Sequence, residues 1–437
     1  MGIISILLPS LAAFLLFQWA ISAWRAYNSP LSALPGPWYA PFTNIHLQIG
    51  FARGTVWRQV EAAHAKYGGM MRLGPRQIWV SDKVALKQII SQIDLNKVMM
   101  YAEMSRDKNS AVQNIRPDPS THQLTYDSIG ECAFGRGFGS VAPDTEPEPG
   151  FSKEQWQKIP DNIAKGLSMR YAIVFLKRSL RKLGIHMEFD WPAEMVAVTG
   201  RQDLVQHLID NGVRPDNGQK MSARDILDQL SELMLAGAET TSATMCYFMM
   251  ELARNPDVRK KLFKDLPALG LDDPLITGVE VRQDPRFAYL TACMQENLRM
   301  HPIASEFGRR TTDKPVVLNG FEVPPYTVVS ASYRALHYNE EYWPQPHRFW
   351  PERFLPIDHP LKGDAPNADT SAYYPFSSGK HSCVGMNFAW HEMRVVLANY
   401  CARFDITEEP GQKEDIRQYI TMQFHDGNWN ARLYPRL

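Results

Sequence analysis

One large, mainly α-helical domain with small β-sheets, set behind an apolar N-terminal segment, is the architecture this sequence predicts. Three observations carry it. Apolar residues at 226, 227, 230, 233 and 234 recur at helical spacing. Short strand-like runs are bounded by Gly, Pro and Asn turn signals. Past the N-terminus, no linker or internal repeat divides the 437 residues.

From Ile3 to Trp24 the chain is apolar and uncharged, about the length of a bilayer-spanning helix, with Pro9 and Gln18 as local weak points. A cleaved signal peptide would have a basic start and a core of only ~7–15 residues. Ile6 occupies the place where myristoylation expects Ser or Thr. Arg25 follows the span and nothing basic precedes it, so the charge bias leaves the remainder of the chain cytosolic. The expectation is a single-pass transmembrane anchor over 1–25. Pro30, Pro35, Pro37 and Pro41 then make 26–45 a stiff, non-helical hinge, and the folded body runs over 46–437.

Within that body the pattern predicts a helix over Val56–Tyr67 and a hairpin of Met70–Leu73 with Gln77–Val80. A helix starting at Ser81-Asp82 follows. The interval from about 94 to 126 is polar and broken by Arg116-Pro117-Asp118-Pro119. Two amphipathic helices are expected at about 155–183 and 193–211. Ser222 and Asp225 read as the capped start of a long helix that stops at Asn255-Pro256. Another runs from about Phe287 to His301-Pro302. A hairpin turns at Asn319-Gly320, a strand covers Thr327–Ser332, and a last hairpin pairs 419–425 with 430–434.

Equal numbers of basic and acidic residues, 47 each, argue against a nucleic-acid partner. Five cysteines, at 132, 246, 293, 383 and 401, show no C-x-x-C spacing. That points to a reducing compartment with one chemically special thiol, and away from a disulfide framework or a zinc site. The special thiol is Cys383. It lies in Phe376-Ser-Ser-Gly-Lys-His-Ser-Cys-Val-Gly385, ahead of a helix that runs to Phe404, where a helix N-terminus would favour a thiolate able to ligate iron. Gly379 permits a turn with positive φ, and Gly385 a close backbone approach to a flat object. A buried apolar thiol is the bland alternative. Inside the long helix, Ala236-Gly-Ala-Glu-Thr-Thr241 places a glycine worth about 1 kcal/mol of lost helix stability beside an acid and hydroxyls, a combination stability alone does not select. Glu296 and Arg299 share a helix face and can pair.

These residues resemble the cytochrome P-450 haem-thiolate monooxygenases, of the microsomal, fungal type. Residues 376–385 fill the family's F-x-x-G-x-R/H-x-C-x-G, and 236–241 its A/G-G-x-D/E-T-T. The resemblance implies the cytochrome P-450 fold and haem b as cofactor, with Cys383 as the axial iron ligand and Phe376 and Gly385 in the cysteine loop. It implies propionate contacts from His381 and from Arg309 or Arg310, proton delivery by Glu239 and Thr240, and a scaffold of Glu296, Arg299 and Arg353. It further implies electrons from NADPH through a cytochrome reductase, a lipophilic small-molecule substrate, a role in secondary metabolism, and residence in the endoplasmic reticulum membrane. The departure lies at 94–126, which lacks the helix with W-x-x-x-R; a block of helices is missing there. A degenerate relic that binds haem poorly is therefore a second reading. A haem enzyme that rearranges its substrate without dioxygen is a third, and the Glu239-Thr240 pair argues against it.

Overall fold

The computed structural model describes residues 2–97, 125, 127–128, 152–154, 203–214, 217–412, 414–418, 421–424 and 429–436. It comprises two compact units. One contains Met1–Val98, Ser305–Pro346 and Asp369–Cys383, the other Met99–Ala304, His347–Ala368 and Val384–Leu437. Most of the shortened interval, the helix expected at 155–183 and the turn at Asp426-Gly427 lie outside the described residues.

The first unit starts with helix α1 (Gly2–Tyr27), which places the apolar segment in 26 helical residues. Leu16, Phe17, Trp19 and Trp24 are exposed on it, whereas most side chains up to Leu15 lie outside the described residues. Among the described residues no helix is long and apolar enough to cross a membrane. Helices α2 (Ile45–Arg53) and α3 (Val56–Tyr67) bury Leu47, Val56 and Val60 against Met71, Leu73 and Trp79 of the adjoining strands. Each such side chain contributes about 1.5–3 kcal/mol through burial.

Strands β1 (Met70–Gly74), β2 (Gln77–Val80), β3 (Asn96–Lys97), β4 (Glu306–Arg310) and β7 (Val328–Ser332) make a five-stranded sheet ordered β1-β2-β7-β4-β3. β2 and β7 are parallel, and the other neighbours antiparallel. The hairpin at Asn319-Gly320 forms as β5 (Val316–Leu318) and β6 (Phe321–Val323), with φ of 44° and 79° at its two turn residues, the left-handed pair a tight hairpin needs. Asp82 caps helix α4 (Lys83–Lys87), accepting from the Ala85 amide at 2.8 Å.

The second unit contains α5 (Leu204–Asn211), α6 (Ala223–Arg254), α7 (Pro256–Asp265), α8 (Gly278–Gln283) and α9 (Ala288–Met300). Ser222 and Asp225 form the expected reciprocal capping box of α6. The short α10 (Tyr333–His337) belongs to the first unit and α11 (Met386–Arg403) to the second. The C-terminal pairing differs from the one read in the sequence. β10 (Met422–Phe424) pairs with β9 (Ile416–Gln418), and β11 (Ala431–Pro435) with β8 (Phe404–Glu408). A strand leaving the end of α11 offers β11 a five-residue ladder, and chain adjacency alone does not reveal that partner.

In α3, His64 is buried, and its Nδ1 lies 2.8 Å from the Gly68 carbonyl and 2.9 Å from the Ser81 hydroxyl. Its Nε2 has no hydrogen-bond partner among the described residues, and burial pushes the imidazole down to about 4. Below 6.5 the unfolded chain takes up a proton that the folded chain refuses until about pH 4. Stability therefore falls with acid through that window, by up to about 3 kcal/mol. Urea titrations at pH 7 and 4.5 should reveal this loss in the wild type and a smaller one in His64→Gln.

Candidate active site

In the first unit, the cysteine loop is a short turn pinned at several points. A single 3-10 turn, Gly379–His381, precedes Cys383, whose amide donates to the Phe376 carbonyl at 2.9 Å and closes the loop. Gly379 has φ +71°, and a Cβ there would lie 2.6 Å from the Ser91 Cα and 2.8 Å from the Ile90 carbonyl oxygen. Both the sign of φ and the space demand glycine. Tyr333 donates its hydroxyl hydrogen to Ser377 at 2.9 Å, and Lys380 pairs with Asp94 at 2.6 Å. His381 Nε2 is 3.7 Å from the same carboxylate. Lys380, the hydrogen-bond donor, holds the exposed Asp94 carboxyl below its ordinary range. Cys383 is exposed and in no disulfide.

The loop leads into α11 through Gly385. Gly385 is the N-cap and Met386 the first helical residue, so Cys383 precedes the helix and lies outside its first turn. Gly385 has an ordinary φ of −83°, so backbone conformation does not require glycine there. On β4, alternation separates the two candidate arginines. Arg309 is fully buried, whereas Arg310 lies over the Tyr326 ring at 5.6 Å.

In the second unit, α6 carries the polar sextet. Ala236 is exposed and Gly237 half-buried, leaving that surface without bulk. The Thr240 hydroxyl donates to the Ala236 carbonyl at 2.6 Å, which commits its hydrogen and leaves lone pairs to accept. Glu239 is 1% exposed, and burial raises its carboxyl well above the usual range. Burial therefore favours its protonated form. Its Oε2 accepts from Gln423 Nε2 at 2.7 Å. The Asn297 side chain of α9 donates to the Thr244 carbonyl at 2.9 Å, tying α9 to the same helix.

Glu296, Arg299 and Arg353 come together as read. Arg299 grips Glu296 with a two-bond fork, Nε to Oε2 at 2.8 Å and Nη2 to Oε1 at 2.9 Å, with both side chains fully buried. Arg353 Nε stands 3.5 Å from Oε1, and the Trp350 amide donates to that oxygen at 3.0 Å. The indole of Trp350 is flanked by the Arg348 guanidinium at 3.9 Å and that of Arg353 at 5.0 Å. The adjoining Glu352 accepts from Tyr289 at 2.9 Å.

Asp94, Gln423, Trp350 and Arg348 were not singled out in the sequence. Asp94, Gln423 and Trp350 meet Lys380, Glu239 and Glu296 across 286, 184 and 54 positions, which no local spacing signals. A W-x-x-x-R spacing does occur in the chain, at Trp390 and Arg394 of α11. It lies beyond the cysteine, with the guanidinium 4.9 Å from the centre of the indole on the same helix, an ordinary i, i+4 contact.

The sequence pattern of the cytochrome P450 family matches residues 80–424. The chain is 28% identical to the cytochrome P450 monooxygenase FUS8 of Gibberella fujikuroi, over 98% of this chain and 93% of that protein. It is 26% identical to the monooxygenase acrD of Aspergillus aculeatus, over 90% and 89%. A taurochenodeoxycholic 6 alpha-hydroxylase of Sus scrofa matches at 31% over 57% of this chain and 47% of its own length. The chain belongs to the cytochrome P450 family and is a monooxygenase whose cofactor is haem b. The residues present fit that group. The first unit offers an exposed thiol on a pinned turn, a donor that suits haem iron.

Replacing Glu296 by Gln would leave two buried guanidinium groups without their carboxylate, at a cost of about 3–5 kcal/mol. Thermal unfolding of Glu296→Gln should show a large drop in midpoint. An unchanged midpoint would mean that the cluster contributes nothing to stability.

Proposed function

We propose that Cys383 is the axial ligand through which this chain acts as a haem-thiolate monooxygenase on a lipophilic small molecule. The observation that carries this is the pinned loop Phe376–Cys383, which ends in an exposed thiol outside any disulfide. When bound, haem b supplies dioxygen activation, and a thiolate ligand favours O–O cleavage. The chain's own residues then orient and protonate. Arg309, buried on β4, and its neighbour Arg310, over the Tyr326 ring, are the two arginines that would hold a haem propionate. His381, turned toward Asp94, adds a weaker contact to the same carboxylate. Glu239, whose protonated form burial favours, is the proton source, and Thr240 keeps lone pairs open beyond its own hydrogen bond to the helix backbone. Glu296, Arg299 and Arg353 hold the scaffold.

P450 monooxygenases use a redox partner and a small-molecule substrate. Here the partner is a membrane-bound NADPH-cytochrome reductase. Residues 1–25 are a single-pass anchor in the endoplasmic reticulum membrane, with 26–45 as hinge and 46–437 as cytosolic haem domain. The uncharged run and the large apolar side chains exposed on α1 support the anchor. Oxidative tailoring in secondary metabolism fits the fungal relatives, and the hydroxylase name of the pig relative fits oxygen insertion. The alignment with FUS8 spans 486 positions, more than the chain's 437 residues, so stretches of that relative face gaps here. This fits a chain shortened relative to that protein. The relic reading is weaker, because the thiol loop, the acid of α6 and the buried charge cluster are all intact.

The reduced protein under carbon monoxide should absorb at the family's thiolate-type band, and Cys383→Ala should abolish it. A colourless wild type, or an unchanged band in the variant, would overturn the assignment.

A further inference from the structure

The C-terminal strand β10 brings a side chain to the acid of α6. Gln423 Nε2 donates to Glu239 Oε2 at 2.7 Å and approaches the Thr421 hydroxyl oxygen at 3.2 Å, so the amide is oriented by two acceptors. The strand is fixed by its antiparallel pairing with β9 and by the Met422 amide, which donates to the Ile303 carbonyl at 2.8 Å. Glu239 Oε1, in contrast, is buried and has no hydrogen-bond partner among the described residues. Burial raises this carboxyl. An oxygen that accepts an amide hydrogen does not also direct a proton along that bond, so when Glu239 is protonated its proton resides on Oε1.

We infer that Gln423 is a positioning residue for the reaction: by occupying Oε2 it fixes the plane of the Glu239 carboxyl and leaves Oε1 as the oxygen that holds and hands on the proton. The inference rests on the reading of Glu239 as proton donor. It adds a residue outside α6, on a strand 184 positions further along the chain.

The test uses the full-length holoenzyme. Difference infrared spectra in H2O and D2O should contain a protonated-carboxyl stretch that is missing in Glu239→Gln and therefore belongs to Glu239. In Gln423→Met, which keeps the bulk and removes the donor, that stretch should move to higher frequency. Gln423→Leu repeats the comparison should the first variant fold poorly. With a reductase present, NADPH oxidation should slow about fivefold in the variant, the scale of one lost hydrogen bond, and the solvent deuterium isotope effect on it should rise. A stretch that stays in place, or a rate and isotope effect that do not change, would overturn the inference. The carbon monoxide spectrum separates the two levels. A thiolate-type band retained in Gln423→Met leaves the monooxygenase reading standing whatever the infrared result. Its absence from the wild type removes that reading and leaves the infrared shift to judge the carboxyl–amide pairing alone.

Discussion

A carboxylate without access to water constrains the second unit more than any other group. Glu296 is fully buried, and its charge is met by the Arg299 fork, by Arg353 and by the Trp350 amide. Desolvation makes each of these ions costly, so the cluster persists only because its members satisfy one another. α9 is thereby fixed to the proline-rich run that holds Trp350 and Arg353, and the Asn297 bond to the Thr244 carbonyl carries that rigidity to α6. An exposed E-x-x-R pair would be worth less than ~1 kcal/mol. Burial alone turns this pair into a structural requirement.

The first unit solves a different problem, that of presenting an exposed thiol on a loop without leaving the loop loose. The Cys383 amide is committed to Phe376, Gly379 takes a backbone conformation that leaves no room for a Cβ, and Ser377 is held by Tyr333. Lys380 and Asp94 add a solvent-screened contact, useful for register and of little energetic weight. The thiol at the end of this turn is exposed.

The polar sextet of α6 divides its work by depth. Thr240 is half-buried with its hydrogen spent on the helix backbone, and Glu239, one residue earlier and about 100° around the helix, is buried. An acid and a hydroxyl adjacent in sequence thus differ in burial. The glycine beside them weakens the helix locally. That cost is tolerable in a 32-residue helix with a capping box and with packing along its length.

The sequence by itself determined the elements whose signals are local. The capping box at Ser222 and Asp225, the turn at Asn319-Gly320, the hairpin at 70–80 and the special cysteine among five are all written in neighbouring residues, where sterics and short hydrogen bonds decide. The pairing of Glu296 with Arg299 was legible for the same reason, as was Gly379. Tertiary structure alone decided what depends on distant partners. Strand β4 was hidden because its pairing with β7 joins residues separated by the intervening hairpin, and β11 found β8 in place of β10. Only burial distinguishes Arg309 from Arg310, and Gln423 reaches Glu239 only once β10 is in place. Spacing encodes what a helix face or a tight turn brings together, but solvent exclusion and long-range contact belong to the folded chain as a whole.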